Sequence, residues 1–333
     1  MGARSILLST WPGPSWAIDM TDLIMQAVLQ VVIPVFLVAG IGFVYAGWRS
    51  FPVGAVTDLI IHLTAACLVF DALSKAAPFD LAAARAPLSA AGIILGGIIV
   101  GFGAHRLVPS LRALPRGAVV LPAAFMNAGN LGLPLMHLAY GEPGLEQAML
   151  FFVTFAALQY SVGIAIVKGS GGMSEFLKLP LLYAAGLGIL FNQTRWPLPK
   201  AVSVPVAMLA QTVIPLMLLS LGARMRGLLF TADDSKPAWK PVLILPLLRM
   251  FGGLAVGLLV NLALQNRGLI AHVTLVVSML PPAVMNFALV EKYGDDEHAP
   301  AVVSGAIALG TALALVVLPL GLALLGPVAP PGG

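Results

Sequence analysis

Ten blocks of apolar residues follow one another along this chain, each close to the length of a helix that crosses a bilayer. They cover residues 23–48, 53–74, 86–104, 117–141, 147–167, 179–194, 201–223, 241–266, 268–290 and 299–326. A hydrocarbon core needs roughly 20 mostly apolar residues in helical form. None of the blocks alternates apolar with polar residues, which excludes membrane β-strands. With 59% hydrophobic and 10% charged residues, a water-soluble fold could not hide so much apolar surface. Soluble domains hold an apolar share of about 45–50%. The pattern predicts an all-α polytopic membrane protein with ten transmembrane helices, whose first partner is the lipid bilayer.

Several function classes drop out at once. Cys67 is the single cysteine, so a disulfide framework and a Cys-based zinc site are excluded. The charges are scattered between apolar blocks, with no Lys/Arg run, and no nucleic-acid partner is expected. The chain has no phosphate-cradling Gly-Lys-Ser/Thr loop, and neither metal nor other cofactor is expected.

Orientation follows from Lys and Arg in the loops. With the N-terminus outside, eleven fall inside: Arg49, Arg106, Arg112, Arg116, Lys168, Lys178, Arg224, Arg226, Lys236, Lys240 and Lys292. Six fall outside: Arg4, Lys75, Arg85, Arg195, Lys200 and Arg267. Both termini are therefore expected on the non-cytoplasmic side of a cell (inner) membrane. Residues 1–19 read as a short disordered extension, with Met20 as an alternative start. The first five-helix repeat then spans 20–168, a short cytoplasmic linker 169–178, the second repeat 179–326 and a tail 327–333.

Ten spans divide into two sets of five, and an odd number per set inverts the second in the membrane. Shifting the fourth span by 153 residues lays Met126 on Met279 and Tyr140-Gly141 on Tyr293-Gly294. Each of the two spans is broken near its middle. The fourth carries Met126-Asn127-Ala128-Gly129-Asn130-Leu131-Gly132-Leu133-Pro134, poor helix material. The ninth carries Leu280-Pro281-Pro282-Ala283-Val284-Met285-Asn286, where two prolines remove two amide donors. Non-helical backbone at this depth survives only inside protein or beside a polar cavity. Paired breaks in the two halves point to a transport site.

Around these residues the sequence resembles the auxin efflux carrier family, the plant PIN carriers and their bacterial permease relatives. Gly129-Asn130-Leu131-Gly132-Leu133-Pro134, Leu280-Pro281-Pro282 with Glu291-Lys292-Tyr293-Gly294, and Ile33-Pro34-Val35-Phe36 in the first span carry the resemblance. It implies a PIN/bile-acid-symporter-like fold of two inverted five-helix repeats, with the broken helices four and nine crossing. Helices one, two, six and seven would form a scaffold and the others a mobile unit. The resemblance places Asn127 opposite a substrate carboxylate and Pro281 at the ninth-helix crossover. Ala66 departs from the family, where many relatives have a proline. The linker of about eleven residues, 169–179, lacks the large regulatory loop of long plant carriers.

The expected function is a secondary transporter, a permease or efflux carrier that moves a small organic anion by elevator-type alternating access. The substrate-site candidates are Asn127, Gly129, Asn130, Pro134, Pro281, Pro282 and Asn286. Arg249 joins them as the one basic residue well inside a span, about 12 Å deep at 1.5 Å per residue. It would either hold a carboxylate or snorkel to the interface. Asp58 and Asp71 are coupling-proton candidates, with Asp71 and Lys75 also spaced for a local ion pair. A homodimer is compatible with this class. The rival readings are a channel and a membrane-embedded enzyme of prenyltransferase type. The enzyme would need metal-bound carboxylates, and adjacent Asp233-Asp234 or Asp295-Asp296 diverge by about 100° on a helix. No enzyme activity is expected.

Overall fold

The structure is a computed structural model, which describes residues 22, 24, 25, 27–76, 83–169, 177–230 and 239–326. The extension 1–19, most of the linker 169–178, the tail 327–333 and the Asp233-Asp234 pair lie outside the described residues. Among the described residues every regular element is helical. Seven helices among the described residues are long and apolar enough to cross a membrane: α1 (Ala27–Trp48), α2 (Val53–Lys75), α3 (Arg85–Leu107), α5 (Ala128–Lys168), α7 (Lys200–Phe230), α8 (Trp239–Ala263) and α11 (Ala299–Leu325). Four shorter ones of at least nine residues lie between them among the described residues, α4 (Arg116–Ala124), α6 (Pro180–Thr194), α9 (Leu269–Ser278) and α10 (Met285–Tyr293), with a single helical turn at Pro109–Arg112.

Local chemistry sets where these helices stop and turn. At Phe125 the backbone becomes extended, with φ −103° and ψ 112°, and α4 ends. Beyond α9, Pro281 and Pro282 have no amide to donate. Within α5, Gly141 adopts φ 65° and ψ −157°, a conformation open to glycine. The chain folds back there. A Cβ on Gly129 would stand 3.0 Å from the Phe152 ring, whereas a straight helix would hold the two residues about 34 Å apart. The arms 128–140 and 142–168 therefore lie side by side.

Packing sorts the helices into two groups. In the first, α7 lies against α1 and α2, and α2 against α6. The α1–α7 contact is made backbone to backbone. A Cβ on Gly222 would collide with the carbonyl oxygen of Ala39, and one on Gly42 with that of Leu219. Small residues permit such approach where lipid supplies no hydrophobic drive for association. The second group joins α3 to α4, α5 and α8, and α11 to α8 and α10. Here Gly97 meets the backbone of Ala124, and Gly96 meets Val256. Large apolar side chains point outward on both groups, among them Leu37, Ile99 and Leu262, as expected of surfaces facing hydrocarbon.

Candidate functional site

The two breaks meet. Met126 and Pro282 form an isolated antiparallel bridge. The Asn127 amide donates to the Pro281 carbonyl at 2.8 Å, and the Ala283 amide donates to the Phe125 carbonyl at 2.9 Å. These two bonds exchange when Met126 is mapped onto Pro282, which sets an offset of 156 residues (282 minus 126). The sequence comparison gave 153. Under the structural offset Asn130 corresponds to Asn286, each just past its break. Two crossing backbones thus satisfy at depth the polar groups that the breaks had freed.

Asn286 reinforces the crossing. Its side chain is fully buried, and Nδ2 donates to the Phe125 carbonyl at 2.9 Å. Its Oδ1 accepts from Gln159 Nε2 at 3.2 Å. Pro281 and Pro282 pack on α11, where a Cβ on Gly310 would fall 2.8 Å from Pro282 Cδ. Pro134 is buried in the turn that follows the π turn Ala128–Gly132, where it has no N–H to return to the preceding turn.

Arg249 lies beneath the crossing and is completely buried. Its Nη1 donates to the carbonyls of Ala123 at 3.0 Å and Ala124 at 3.1 Å. Its Nη2 donates to the carbonyl of Ser278 at 2.8 Å. These oxygens belong to the C-terminal turns of α4 and α9. In α9, Leu275, Val276 and Val277 accept from the amides of Met279 and Leu280. Ser278, left over, accepts from Arg249. In α4, Leu121 accepts from Phe125, while Ala123 and Ala124 accept from Arg249. Only Nε of the guanidinium has no partner among the described residues.

Beside the crossing opens a cavity of ≈ 100 Å³. The second group of helices contributes Asn127, Ala128, Gly129 and Asn130, then Phe152, Gln159 and Tyr160 from the other arm of α5, and Ala283, Val284 and Met285. The first group contributes Thr57, Ile60 and Ile61 of α2 and Met217, Ser220 and Arg224 of α7. Asn127 is 4% exposed, and its side-chain Nδ2 has no hydrogen-bond partner among the described residues. An unpaired buried donor costs about 1–3 kcal/mol. Arg224 is half-buried, and its Nη2 donates to Thr57 Oγ1 at 2.6 Å. An unsatisfied amide and a guanidinium therefore share one cavity. Several π-helical turns frame it: Ile60–Thr64, Ala128–Gly132 and Gln159–Gly163, with Leu248–Gly252 behind the crossing at Arg249. Such turns often mark functional sites.

Of the sequence candidates, Asn127, Gly129 and Asn130 line the cavity. Pro281, Pro282, Asn286 and Arg249 build the crossing behind it, and Pro134 is buried in the arm of α5 that follows. Asp58 is exposed, one residue from Thr57. Asp71 makes the ion pair its spacing suggested, with Lys75 Nζ 2.6 Å from Oδ1. The reading from sequence missed Arg224, which it counted among loop charges. The signal was there: Met217, Ser220 and Arg224 are spaced to share one helix face. Among the described residues no three His, Cys, Asp or Glu side chains gather as a metal cage.

An all-helical chain with several membrane-spanning helices and two broken ones crossing beside a polar cavity belongs to the class of polytopic membrane transport proteins. The profile of the family described as membrane transport protein matches residues 27–178 and again 173–322; the chain belongs to this family, that of the auxin efflux carriers. An uncharacterized transporter of Methanothermobacter thermautotrophicus is 31% identical over 212 residues, 61% of this chain and 66% of the relative. The match therefore spans just under two thirds of that relative's length.

Proposed function

We propose that the protein is a secondary transporter that moves a small organic anion, a carboxylate, across the cell membrane by elevator-type alternating access. The carrying observation is the cavity that holds both the Asn127 side-chain amide, without a partner among the described residues, and the Arg224 guanidinium. The first turns of α5 and α10 also line it, and each helix start presents about half a positive charge. All three features favour an anion, and the Asn127 amide and the helix starts add no fixed buried charge.

In this reading the chain crosses the membrane ten times. The arms of α5 count as two crossings, and α4 with 128–140, and α9 with α10, as one broken crossing each. The two halves form inverted five-helix repeats. The helices α1, α2, α6 and α7 act as the scaffold, and the group around the crossing moves against them. Thr57, Tyr160, Leu179 and Arg224 all lie near loops that the Lys/Arg balance puts in the cytoplasm, so the cavity faces inward.

The test is flux into proteoliposomes. A panel of radiolabelled small carboxylates should include at least one that enters saturably, and Asn127→Ala and Arg224→Ala should each weaken its half-saturation. Fluxes that do not saturate, or that ignore both substitutions, would place the pathway elsewhere.

A further inference from the structure

Broken helices inside a membrane leave carbonyl groups at their C-terminal ends, and in broken-helix transporters such ends commonly hold the driving cation. Here the C-terminal ends of α4 and α9 converge on one point, and the point is filled by the Arg249 guanidinium. The charge balance is close. Each helix end carries about half a negative charge, so two ends sum to about one, which a single guanidinium cancels. No carboxylate pairs with Arg249 among the described residues, so the two helix ends are its counter-charge. Space is reserved for it too: a Cβ on Gly253 would collide with Nη2 and with the Ser278 carbonyl.

We infer that Arg249 is a tethered cation, built into α8 where a free ion would otherwise sit, and that its charge holds the two broken helices at their crossing. It is a positioning residue: it touches the backbone of the crossing and is not among the residues lining the cavity. The inference stands apart from the anion reading, since it concerns the shape of the crossing and holds whatever the cargo. Two consequences follow. The wild-type crossing needs no sodium or potassium. Removal of the side chain leaves a carbonyl-lined vacancy selective for a cation of matching shape.

The experiment uses the purified full chain in detergent and reads the thermal unfolding midpoint. Wild type should give one midpoint in sodium, potassium and choline chloride. Arg249→Ala should unfold at lower temperature and regain much of the loss in millimolar guanidinium chloride, saturably. Urea, planar and similar in size but neutral, should restore nothing at the same concentration. Equal effects of guanidinium and urea, or an unshifted Arg249→Ala midpoint, would overturn the inference. Should Arg249→Ala not fold, Arg249→Lys and Arg249→Gln decide the matter. Lysine keeps the charge and should keep the protein folded well above the glutamine variant. Indistinguishable midpoints for these two would show that charge is not what the crossing requires.

Discussion

Asn286 donates to the carbonyl oxygen of Phe125 across the crossing of the two broken helices, at 2.9 Å. The same side chain accepts from Gln159, so it needs both a donor and an acceptor. Asn286→Asp keeps the shape and loses the donor, turning a carboxylate oxygen toward a carbonyl. It should destabilise more than Asn286→Ala, which costs about 1–3 kcal/mol for the Gln159 donor left unpaired. Midpoints of thermal unfolding for the two variants check the order.

Asn127→Ala should behave in the opposite sense. Its Nδ2 has no partner among the described residues, so its loss removes a buried donor that no protein group satisfies there. Thermal stability should stay level or rise slightly. Anion affinity should fall roughly ten- to a hundredfold, from bonds to charged groups worth about 1.5–3 kcal/mol each. A variant that lost stability and affinity together would mark Asn127 as a packing residue.

Arg224→Ala should weaken binding by a similar factor with expression intact, because the residue is only half-buried. Thr57→Ala, which frees the guanidinium from its 2.6 Å bond, should change affinity by less. Counterflow measurements on both variants, with the same labelled carboxylate, rank the two effects.

Gly222→Ala and Gly42→Ala should be poorly tolerated, since the added methyl meets backbone rather than a movable side chain. Overpacking costs typically about 1–3 kcal/mol, and a rigid obstacle belongs at the upper end. Gly186→Ala meets nothing within 4 Å and serves as the control. Yield of folded protein by size-exclusion chromatography reads the difference.

Orientation can be read with thiol reagents in intact cells. In a background with Cys67 replaced, Thr194→Cys should label from outside, and Ser50→Cys only after the membrane is opened. Both positions are exposed. The reverse pattern would invert the topology.

Much of this was legible in the sequence for a simple reason. A break in a membrane helix must be written with residues that spoil helices, so Asn127 to Pro134 and Pro281-Pro282 announce themselves. What the breaks do to each other is not written in side chains. The bridge between Met126 and Pro282 is backbone to backbone, and its offset was out of reach of residue matching. Arg249 was visible as a charge at depth, but a guanidinium can donate either to a carboxylate or to backbone carbonyls. Its direction depends on which oxygens the breaks leave over. Arg224 was masked because it follows the last residue of the apolar block 201–223, where a charge reads as a loop residue; the helix in fact runs on to Phe230.

The π-helical turns carry a consequence for insertions and deletions. Such a turn holds one residue more than the α turn it replaces, so it acts as a phase shift along the helix. Residues beyond it are rotated by about 100° relative to an unbroken α-helix. Removing one residue from Leu248–Gly252 would let α8 run regularly and swing one end's side chains through that angle. Arg249 would then leave Ser278 or α8 would lose its seat against α3. One residue lost from a loop is ordinarily harmless. The same loss within 60–64, 128–132, 159–163 or 248–252 rotates one side of the site out of phase with the other, so in these segments residue count is under as tight a constraint as residue identity.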